Sequence, residues 1–296
     1  AGYYDVLERT LYNGLISGVS LDGGSFFYPN PLESEGQHKR QPWFGCACCP
    51  SNIARFIPSL PGYIYAVKDN SLYVNLFISN TLSTKVLDND MVLRQQTDYP
   101  WDGDITITID KAPGDNVIIK VRIPGWVQDR PVPGDLYSYA DGKKSCYSIK
   151  VNGKATDGTI CDGYFCIERK WKKGDSIEVN FQMEARTVTA KEEVEANRGR
   201  LAVERGPVVY CAEWPDNDFD LQSLLLPLAP EFRAVPAPDK LYGFVQLETP
   251  ARVQATGDND IPVAKEVLLT LIPYYAWAHR GAGSMMVWLP RDKVTQ

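Results

Sequence analysis

This 296-residue chain has few histidines and no excess of basic residues. It contains 2 histidines, and its 31 Lys and Arg are outnumbered by 37 Asp and Glu, which gives a net charge of -6. This balance argues against a nucleic-acid partner, because phosphates require a basic surface. No run of about 18 apolar residues and no polybasic cluster is present, so we expect no membrane association. A neutral or mildly polar substrate fits this charge better.

The N-terminal residues have the character of the middle of a fold. Residues 1–8 contain neither the charged leader nor the apolar core of a signal peptide. We therefore expect an upstream segment to precede them. Apolar residues at four-residue spacing predict a helix with one buried face, formed by Tyr3, Leu7, Leu11 and Leu15.

A segment without clear periodicity, residues 19–50, follows this helix. A segment of this length inside a compact domain is usually functional or disordered, and its aromatic residues argue against disorder. Pro50 suits the first position of a second helix. Pro58 is expected to end that helix or to kink it.

From about residue 63 onward the pattern predicts β-strands. Ile105, Ile107 and Ile109 alternate with polar residues, as in a strand with one buried face. Similar short strands are predicted at 72–78, 117–123, 147–151, 164–168, 177–181, 207–211, 244–247, 267–271 and 286–289. Their spacing is typical of antiparallel sandwiches. The residues alone therefore predict a mostly β protein, with a short helical part followed by one or two β-sandwiches and a boundary near 191–195.

Seven cysteines are distributed unevenly, unlike a disulfide framework. Four of them are scattered, and we expect these to fill small apolar gaps, although Cys161 and Cys166 could pair across a hairpin. The other three are Cys46, Cys48 and Cys49. Four interpretations of this cluster stay open: a metal site, a catalytic thiol without metal, inert buried thiols, or a disulfide.

Two physical effects favour thiolates at Cys48 and Cys49. Zinc prefers thiolate ligands, and the unpaired N–H groups at the start of a helix stabilise anions. The cluster cannot complete a tetrahedral site alone, and neither His38 nor His279 lies at a zinc-finger spacing. A cysteine-protease interpretation needs a histidine partner, and His279 is the candidate. A histidine satisfied by its surroundings is the more ordinary interpretation of His279, and His38 is expected to lie in a loop.

Candidate substrate contacts lie near the cysteines in the sequence. Glu8 could flank the buried face of the first helix, although the ordinary interpretation of such a glutamate is a solvated surface residue. Tyr28 and Trp43 are most simply core residues. Aromatic rings beside polar groups are nevertheless what sugar pockets use.

Seven short motifs occur in an order that points to a known family. The clearest are 5–14 (DVLERTLYNG), 26–28 (FFY), 30–33 (NPLE) and 43–50 (WFGCACCP), and weaker ones lie at 194–200, 205–210 and 272–277. They resemble glycoside hydrolase family 127, the β-L-arabinofuranosidase family. The resemblance covers nearly the whole chain, and Cys-x-Cys-Cys-Pro is its most specific element.

The resemblance implies a catalytic (α/α)6 barrel followed by two antiparallel β-sandwich domains. This chain supplies the C-terminal helices and active-site loop of the barrel (1–66) and then the sandwiches (67–189 and 190–296). An upstream barrel segment or a homodimer partner is expected to complete the protein. Pro58 departs from this expectation, because the helix that contains it should continue further.

The resemblance also implies the site residues. Cys48 is expected to be the nucleophile and, with Cys49, a ligand of Zn²⁺, while Cys46 has no assigned role. Glu8 and Tyr28 match positions that contact the sugar. The remaining zinc ligands and the general acid/base are expected upstream of residue 1. The implied function is a retaining, exo-acting hydrolase of plant cell-wall glycans. The alternatives are a hydrolase of another furanose or deoxysugar, and a non-catalytic carbohydrate-binding protein with a structural zinc site.

Overall fold

The computed structural model describes residues 1–256 and 262–292, so the last residues of the third predicted domain lie outside the described ranges. Its helices are short. Helix α1 (Gly2–Arg9) continues into a π-helical turn (Thr10–Leu15) and a 3-10 turn (Ile16–Gly18). Helices α2 (Cys48–Phe56) and α3 (Pro61–Ile64) are separated by another 3-10 turn (Ile57–Ser59). Among the described residues, no helix is long and apolar enough to span a membrane.

Strands form most of the regular structure. They are β1 (Glu33–Glu35), β2 (Tyr65–Lys68), β3 (Ser71–Val74), β4 (Asn80–Val86), β5 (Asn89–Thr97), β6 (Asp104–Lys111), β7 (Asn116–Arg122), β8 (Tyr137–Tyr139), β9 (Tyr147–Val151), β10 (Lys154–Ala155), β11 (Thr159–Cys161), β12 (Tyr164–Lys170), β13 (Ser176–Phe181), β14 (Ala185–Ala190), β15 (Arg200–Arg205), β16 (Val208–Glu213), β17 (Leu224–Leu225), β18 (Arg233–Ala237), β19 (Phe244–Thr256), β20 (Pro262–Pro273), β21 (Ser284–Met286) and β22 (Leu289–Pro290). The prediction of a mostly β protein is confirmed. The barrel end and the three-domain division stay predictions.

The chain divides into two compact units that do not follow sequence order. Unit 1 contains residues 1–8, 55–133 and 144–183. Within the described residues it has a six-stranded sheet, in the order β10-β9-β13-β6-β5-β4, and a five-stranded sheet, β11-β12-β7-β3-β2. All pairs are antiparallel except β3 with β7. Every second residue of the central strands is buried, including the three isoleucines of β6, as two face-to-face sheets require.

Unit 2 contains residues 9–54, 134–143 and 184–296. Its described strands form one sheet along the path β17-β19-β20-β16-β15-β14-β8, to which β1, β18, β21 and β22 attach. The long β19–β20 hairpin contributes Leu247, Leu269 and Leu271 to a buried apolar core. Leu201 and Val203 of β15 pack into the same core, which gives this unit its own hydrophobic stabilisation.

The buried face predicted for the first helix is confirmed only in part, because Leu11 is buried and Leu7 and Leu15 are half-buried, but Tyr3 is exposed. Tyr3 is 95% exposed, whereas Glu8 is only 2% exposed and Leu11 is buried. Burial of Glu8 is possible because Arg122 and Tyr99 satisfy its carboxylate, so a charged residue takes the inward position. Periodicity of apolar residues therefore identified the helix but not the full set of residues that face the interior.

Candidate active site

The start of helix α2 holds two adjacent thiols. The helix begins at Cys48, two positions before the predicted start at Pro50, so Cys48 and Cys49 both lie in its first turn. Ser51 Oγ donates to the carbonyls of Ala47 (2.7 Å) and Cys48 (3.2 Å), and Asn52 Nδ2 donates to the Cys48 carbonyl (2.8 Å). These bonds hold the first turn in place. The free N–H groups of a first helical turn favour an anionic group bound beside them.

The exposure of the cluster excludes two of its four interpretations. All seven cysteines are free, so the cluster forms no disulfide. Cys46 and Cys48 are exposed and Cys49 is half-buried, so these thiols are not inert core residues. Elsewhere, Cys211 is buried as expected, but Cys146 and Cys161 are exposed, and the prediction that they fill apolar gaps is wrong.

The two thiols have a separation that suits a shared metal ion. The Sγ atoms of Cys48 and Cys49 are 3.7 Å apart. Two ligands of a tetrahedral zinc ion lie about 3.8 Å apart, given Zn–S distances of about 2.3 Å. The described residues contain no group of three or more His, Cys, Asp or Glu side chains placed to hold a metal. Cys48 and Cys49 therefore fit half of a tetrahedral site.

Two aromatic residues that the sequence analysis named, Tyr28 and Trp43, are exposed. Tyr28 is 42% exposed and Trp43 is 60% exposed, so the interpretation of both as core residues is wrong. The Tyr28 ring stacks on Phe44 with 3.7 Å between centroids, and Trp43 meets Phe26 edge-on. Desolvation, followed by the charges of the neighbouring Cys46, Cys48 and Cys49 thiols, raises the pKa of Tyr28. The structure thus brings Tyr28 beside the cysteine cluster.

Arg40 fixes the long segment between the first helix and the cysteines. Its guanidinium donates to the carbonyls of Ser17 (2.9 Å) and Trp277 (3.2 Å) and lies 4.5 Å from the centre of the Phe27 ring. Phe27 itself stacks on Trp277 at 5.2 Å. Burial lowers the pKa of Arg40 to about 10, which leaves it charged at neutral pH. The segment is therefore anchored on either side of Tyr28.

Glu8 lies in a buried ionic network of unit 1. Its Oε1 accepts hydrogen bonds from Arg122 (2.6 Å) and from Tyr99 (2.8 Å), and Arg122 also donates to Asp5 (2.8 Å). Burial raises the pKa of Glu8, and Arg122 and Tyr99 oppose this effect. The interpretation of Glu8 as a solvated surface residue is wrong. Its contact with a sugar stays a prediction.

His279 has both ring nitrogens engaged. Nε2 accepts a hydrogen bond from the Leu21 N–H (3.0 Å), so Nδ1 carries the proton and donates to the Ala276 carbonyl (2.8 Å). Burial, with the nearby charge of Arg40, lowers the pKa of His279. No ring nitrogen is left to activate a cysteine, and the interpretation of His279 as a satisfied structural residue is confirmed. His38 lies in a loop, as expected.

Comparison with known proteins assigns nearly the whole chain. Residues 1–62 match the family model described as the GH127 catalytic domain of β-L-arabinofuranosidase, 71–183 match the GH127 middle domain, and 185–290 match the family 127 C-terminal domain. The chain belongs to glycoside hydrolase family 127. Glu8, Tyr28, Cys48 and Cys49 all lie within the segment that matches the catalytic domain of the family.

Relatives of this family 127 chain include one curated protein and several solved structures. A non-reducing end β-L-arabinofuranosidase of Bifidobacterium longum subsp. longum is 33% identical over 98% of this chain and 45% of that protein. A GH127 β-arabinofuranosidase structure superposes with a TM-score of 0.96 at 58% identity, covering 98% of this chain and 46% of the other. The structure of a GH127 β-L-arabinofuranosidase from Geobacillus stearothermophilus T6 superposes with a TM-score of 0.87 at 36% identity, with the same coverage of both chains. The chain thus spans about half the length of these relatives.

Two residues of this family 127 chain make long-range contacts that have no signal of their own in the sequence. Arg122 lies at the end of a strand whose neighbours are apolar, and its partner Glu8 is 114 residues away. Asn13 binds the backbone of Pro207 (2.8 Å) and Val209 (2.7 Å), almost two hundred residues away. The available signal was the resemblance itself, because Glu8 and Asn13 lie in one recognised motif and Pro207 and Val209 in another.

Proposed function

We propose that this chain is the C-terminal part of a retaining glycoside hydrolase that releases β-L-arabinofuranosyl groups from the non-reducing ends of plant cell-wall glycans. Cys48 is the proposed nucleophile. The observation that carries the proposal is an exposed Cys48 thiol in the first turn of α2, with a second thiol 3.7 Å away, inside the segment that matches the family 127 catalytic domain.

The proposed reaction has two steps at the Cys48 sulfur. The thiolate attacks the anomeric carbon, an S–C bond forms, and the glycosidic C–O bond breaks as an acid protonates the leaving oxygen. Water, deprotonated by the same group, then attacks the carbon and the S–C bond breaks. Two displacements restore the original configuration. We expect the acid/base carboxyl from a segment upstream of residue 1.

The residues around Cys48 support this role in two ways. The first-turn N–H groups of α2 stabilise the thiolate before attack and after its departure. Tyr28 and Trp43 offer exposed aromatic faces on which a sugar ring can stack, and we propose Tyr28 as a direct sugar contact. Zn²⁺, held by Cys48, Cys49 and two expected upstream ligands, supplies the positive charge that keeps the thiol ionised at neutral pH.

Exposed apolar side chains support assigning residues 1–66 to the end of an (α/α)6 barrel. Tyr3 and Val6 of α1 are exposed, as are Ile57 and Tyr63 around α3. Helices with an apolar outer side are typical of an element that packs against further helices. An upstream barrel segment is the proposed cover, and a homodimer partner is the alternative.

The test compares two cysteines in the protein joined to its upstream segment. Cys48→Ala should lower turnover of nitrophenyl β-L-arabinofuranoside by at least about a thousandfold, as expected for loss of a nucleophile. Cys46→Ala, two residues away and equally exposed, is the matched control and should retain activity. Normal turnover by Cys48→Ala excludes the proposed mechanism. A panel of other nitrophenyl furanosides and deoxysugars tests the sugar, and preference for another member corrects the substrate.

Metal content gives a readout that does not depend on activity. The wild-type protein and Cys46→Ala should contain one zinc per chain by elemental mass spectrometry, and Cys49→Ala should contain little. If chelation unfolds the protein instead of only abolishing turnover, the zinc is structural, because the binding energy is then folding energy. Equal zinc in all three proteins contradicts the assignment of Cys49 as a ligand.

A further inference from the structure

Unit 2 contains an open pocket that shares no residue with the cysteine cluster. Its volume is about 610 Å³. The end of β18 and the turn between β18 and β19 supply most of the lining, and Arg280, in the loop after β20, completes it. Pro236, Pro238 and Leu241 make part of its surface apolar, while Asp239, Lys240 and Arg280 add charged groups. A small apolar surface with a few polar groups is the usual composition of a small-ligand site.

The two cations of this pocket, Lys240 and Arg280, are both paired with carboxylates. Arg280 donates to Asp216 (2.6 and 2.8 Å) and to Glu213, and Lys240 donates to Asp216 (2.6 Å). Both cations are therefore neutralised by carboxylates, and Asp239 on the lining adds a further negative charge, so an anionic ligand is disfavoured. This arrangement favours a neutral ligand with hydroxyl groups that can accept from Arg280 and Lys240.

Trp214 forms an aromatic platform beside the pocket. It is 42% exposed, and its ring lies on the backbone of Gly283 and Gly281, next to the pocket residue Arg280. A Cβ atom at Gly283 would lie 2.0 Å from Cδ1 of Trp214, so glycine is required there for the ring to occupy this position. An exposed tryptophan held against glycine backbone presents its outer surface to ligands, at little cost in side-chain entropy.

Tyr242 provides a second exposed ring on the turn that lines the pocket. It is 81% exposed. The turn closes with a hydrogen bond from the Gly243 N–H to the Lys240 carbonyl (2.8 Å), and both Leu241 (φ 48) and Tyr242 (φ 68) are left-handed. Such turns favour Asn and Gly, so Leu and Tyr are unfavourable here. Backbone strain of this kind concentrates at functional sites.

We propose that this surface of the C-terminal domain is an accessory binding site for neutral oligosaccharide chains. Trp214 and Tyr242 stack on the C–H faces of sugar rings, and Arg280 and Lys240 donate to their hydroxyls. The site holds a glycan chain and takes no part in bond cleavage. It is independent of the proposed role of Cys48.

The test measures retention of the chain in native gels that contain soluble arabinan, arabinogalactan or arabinoxylan. At least one of these neutral polymers should retain the wild-type chain. Trp214→Ala and Tyr242→Ala should weaken that affinity by about tenfold or more, as for truncated aromatic anchors. Trp214→Phe should retain part of it. Because Tyr242 is largely exposed, its variant reports on binding even if Trp214→Ala is unstable.

Two control variants separate this site from others. Tyr147→Ala removes an exposed tyrosine of unit 1 and should leave retention unchanged. Cys48→Ala should also leave it unchanged, and loss of retention in that variant assigns the binding to the cysteine cluster instead. The proposal is overturned if no neutral polymer retains the wild-type chain or if Tyr242→Ala binds normally. It is also overturned if anionic polygalacturonate retains the wild-type chain more strongly than the neutral polymers do.

Discussion

The cysteine segment 46–49 and the network around Arg122 both concentrate reactive or charged side chains, but in opposite surroundings. Cys48 is exposed, and its neighbouring thiol is 3.7 Å away. Arg122 is fully buried, and its three donor nitrogens reach Asn75, Asp5 and Glu8 at 2.6–2.8 Å. A buried and fully paired group is used for folding, whereas an exposed group with unused bonding capacity is available to a ligand.

The comparison separates two kinds of signal that look alike in the sequence. Glu8 and Cys48 both lie in motifs shared with family 127. In the structure, burial and Arg122 account for Glu8, while the Cys48 thiol is exposed and lies against the Cys49 thiol. Charged residues at buried positions are retained when removal of one partner leaves the other unpaired. The argument for a catalytic role is therefore stronger for Cys48 than for Glu8.

The largest expected difference is in thiol alkylation. Cys48 is exposed, whereas Cys211 of β16 is fully buried and its burial raises its pKa well above the ordinary value. Iodoacetamide should modify Cys48 at least about 10⁴ times faster, because Cys211 reacts only after unfolding. Mass spectrometry of peptides over a time course measures both rates. Similar rates would contradict the burial of Cys211 and weaken the comparison.

The Arg122 network should be sensitive to loss of its cation. Arg122→Ala leaves Glu8 and Asp5 without their cation and should lower the free energy of unfolding by about 3–5 kcal/mol. Arg94→Ala is the control, since its pair with Asp110 is largely exposed (3.2 Å) and should contribute less than about 1 kcal/mol. Urea titrations followed by tryptophan fluorescence give both values. Equal losses would remove the contrast between buried and exposed groups.

Local patterns in the sequence predicted the helices and strands, but they contained no information on contacts between residues far apart in the chain. Alternation located β6, and Pro58 correctly marked the end of α2, which stops at Phe56. The inward side of α1 was predicted only in part because Arg122, which permits burial of Glu8, lies 114 residues away. Spacing rules describe neighbours along one element and contain no information on such partners. The thiols near the helix start were predictable because their signal, adjacency and a following proline, is local.

Asn13 extends the comparison to a part-buried side chain that is fully hydrogen-bonded but uncharged. Its side chain donates to the Pro207 carbonyl (2.8 Å) and accepts from the Val209 N–H (2.7 Å), so it joins the first helical segment to β16 within unit 2. Asn13→Ala leaves both backbone groups unpaired and should cost about 1–3 kcal/mol in urea unfolding. Asn89→Ala removes an exposed asparagine and should cost about 0.5 kcal/mol or less. A negligible effect at Asn13 would show that water replaces its bonds.

The smallest expected effect concerns His279, a titratable side chain whose bonds are all used to stabilise the fold. Its Nε2 must stay unprotonated to accept from Leu21, and burial lowers its pKa below the ordinary 6.5. As pH falls below that value, the unfolded chain binds the proton first, so stability present at neutral pH is lost.

His279→Gln keeps an acceptor that cannot titrate. Between pH 7.5 and 5 it should therefore lose less stability than wild type, by a margin under about 1 kcal/mol after solvent screening. Urea titrations at each pH measure the margin, and His38→Gln, which changes a histidine in a loop, is the control. A steeper loss in His279→Gln would mean that the folded protein protonates His279 more readily than the unfolded chain does, which contradicts the lowered pKa.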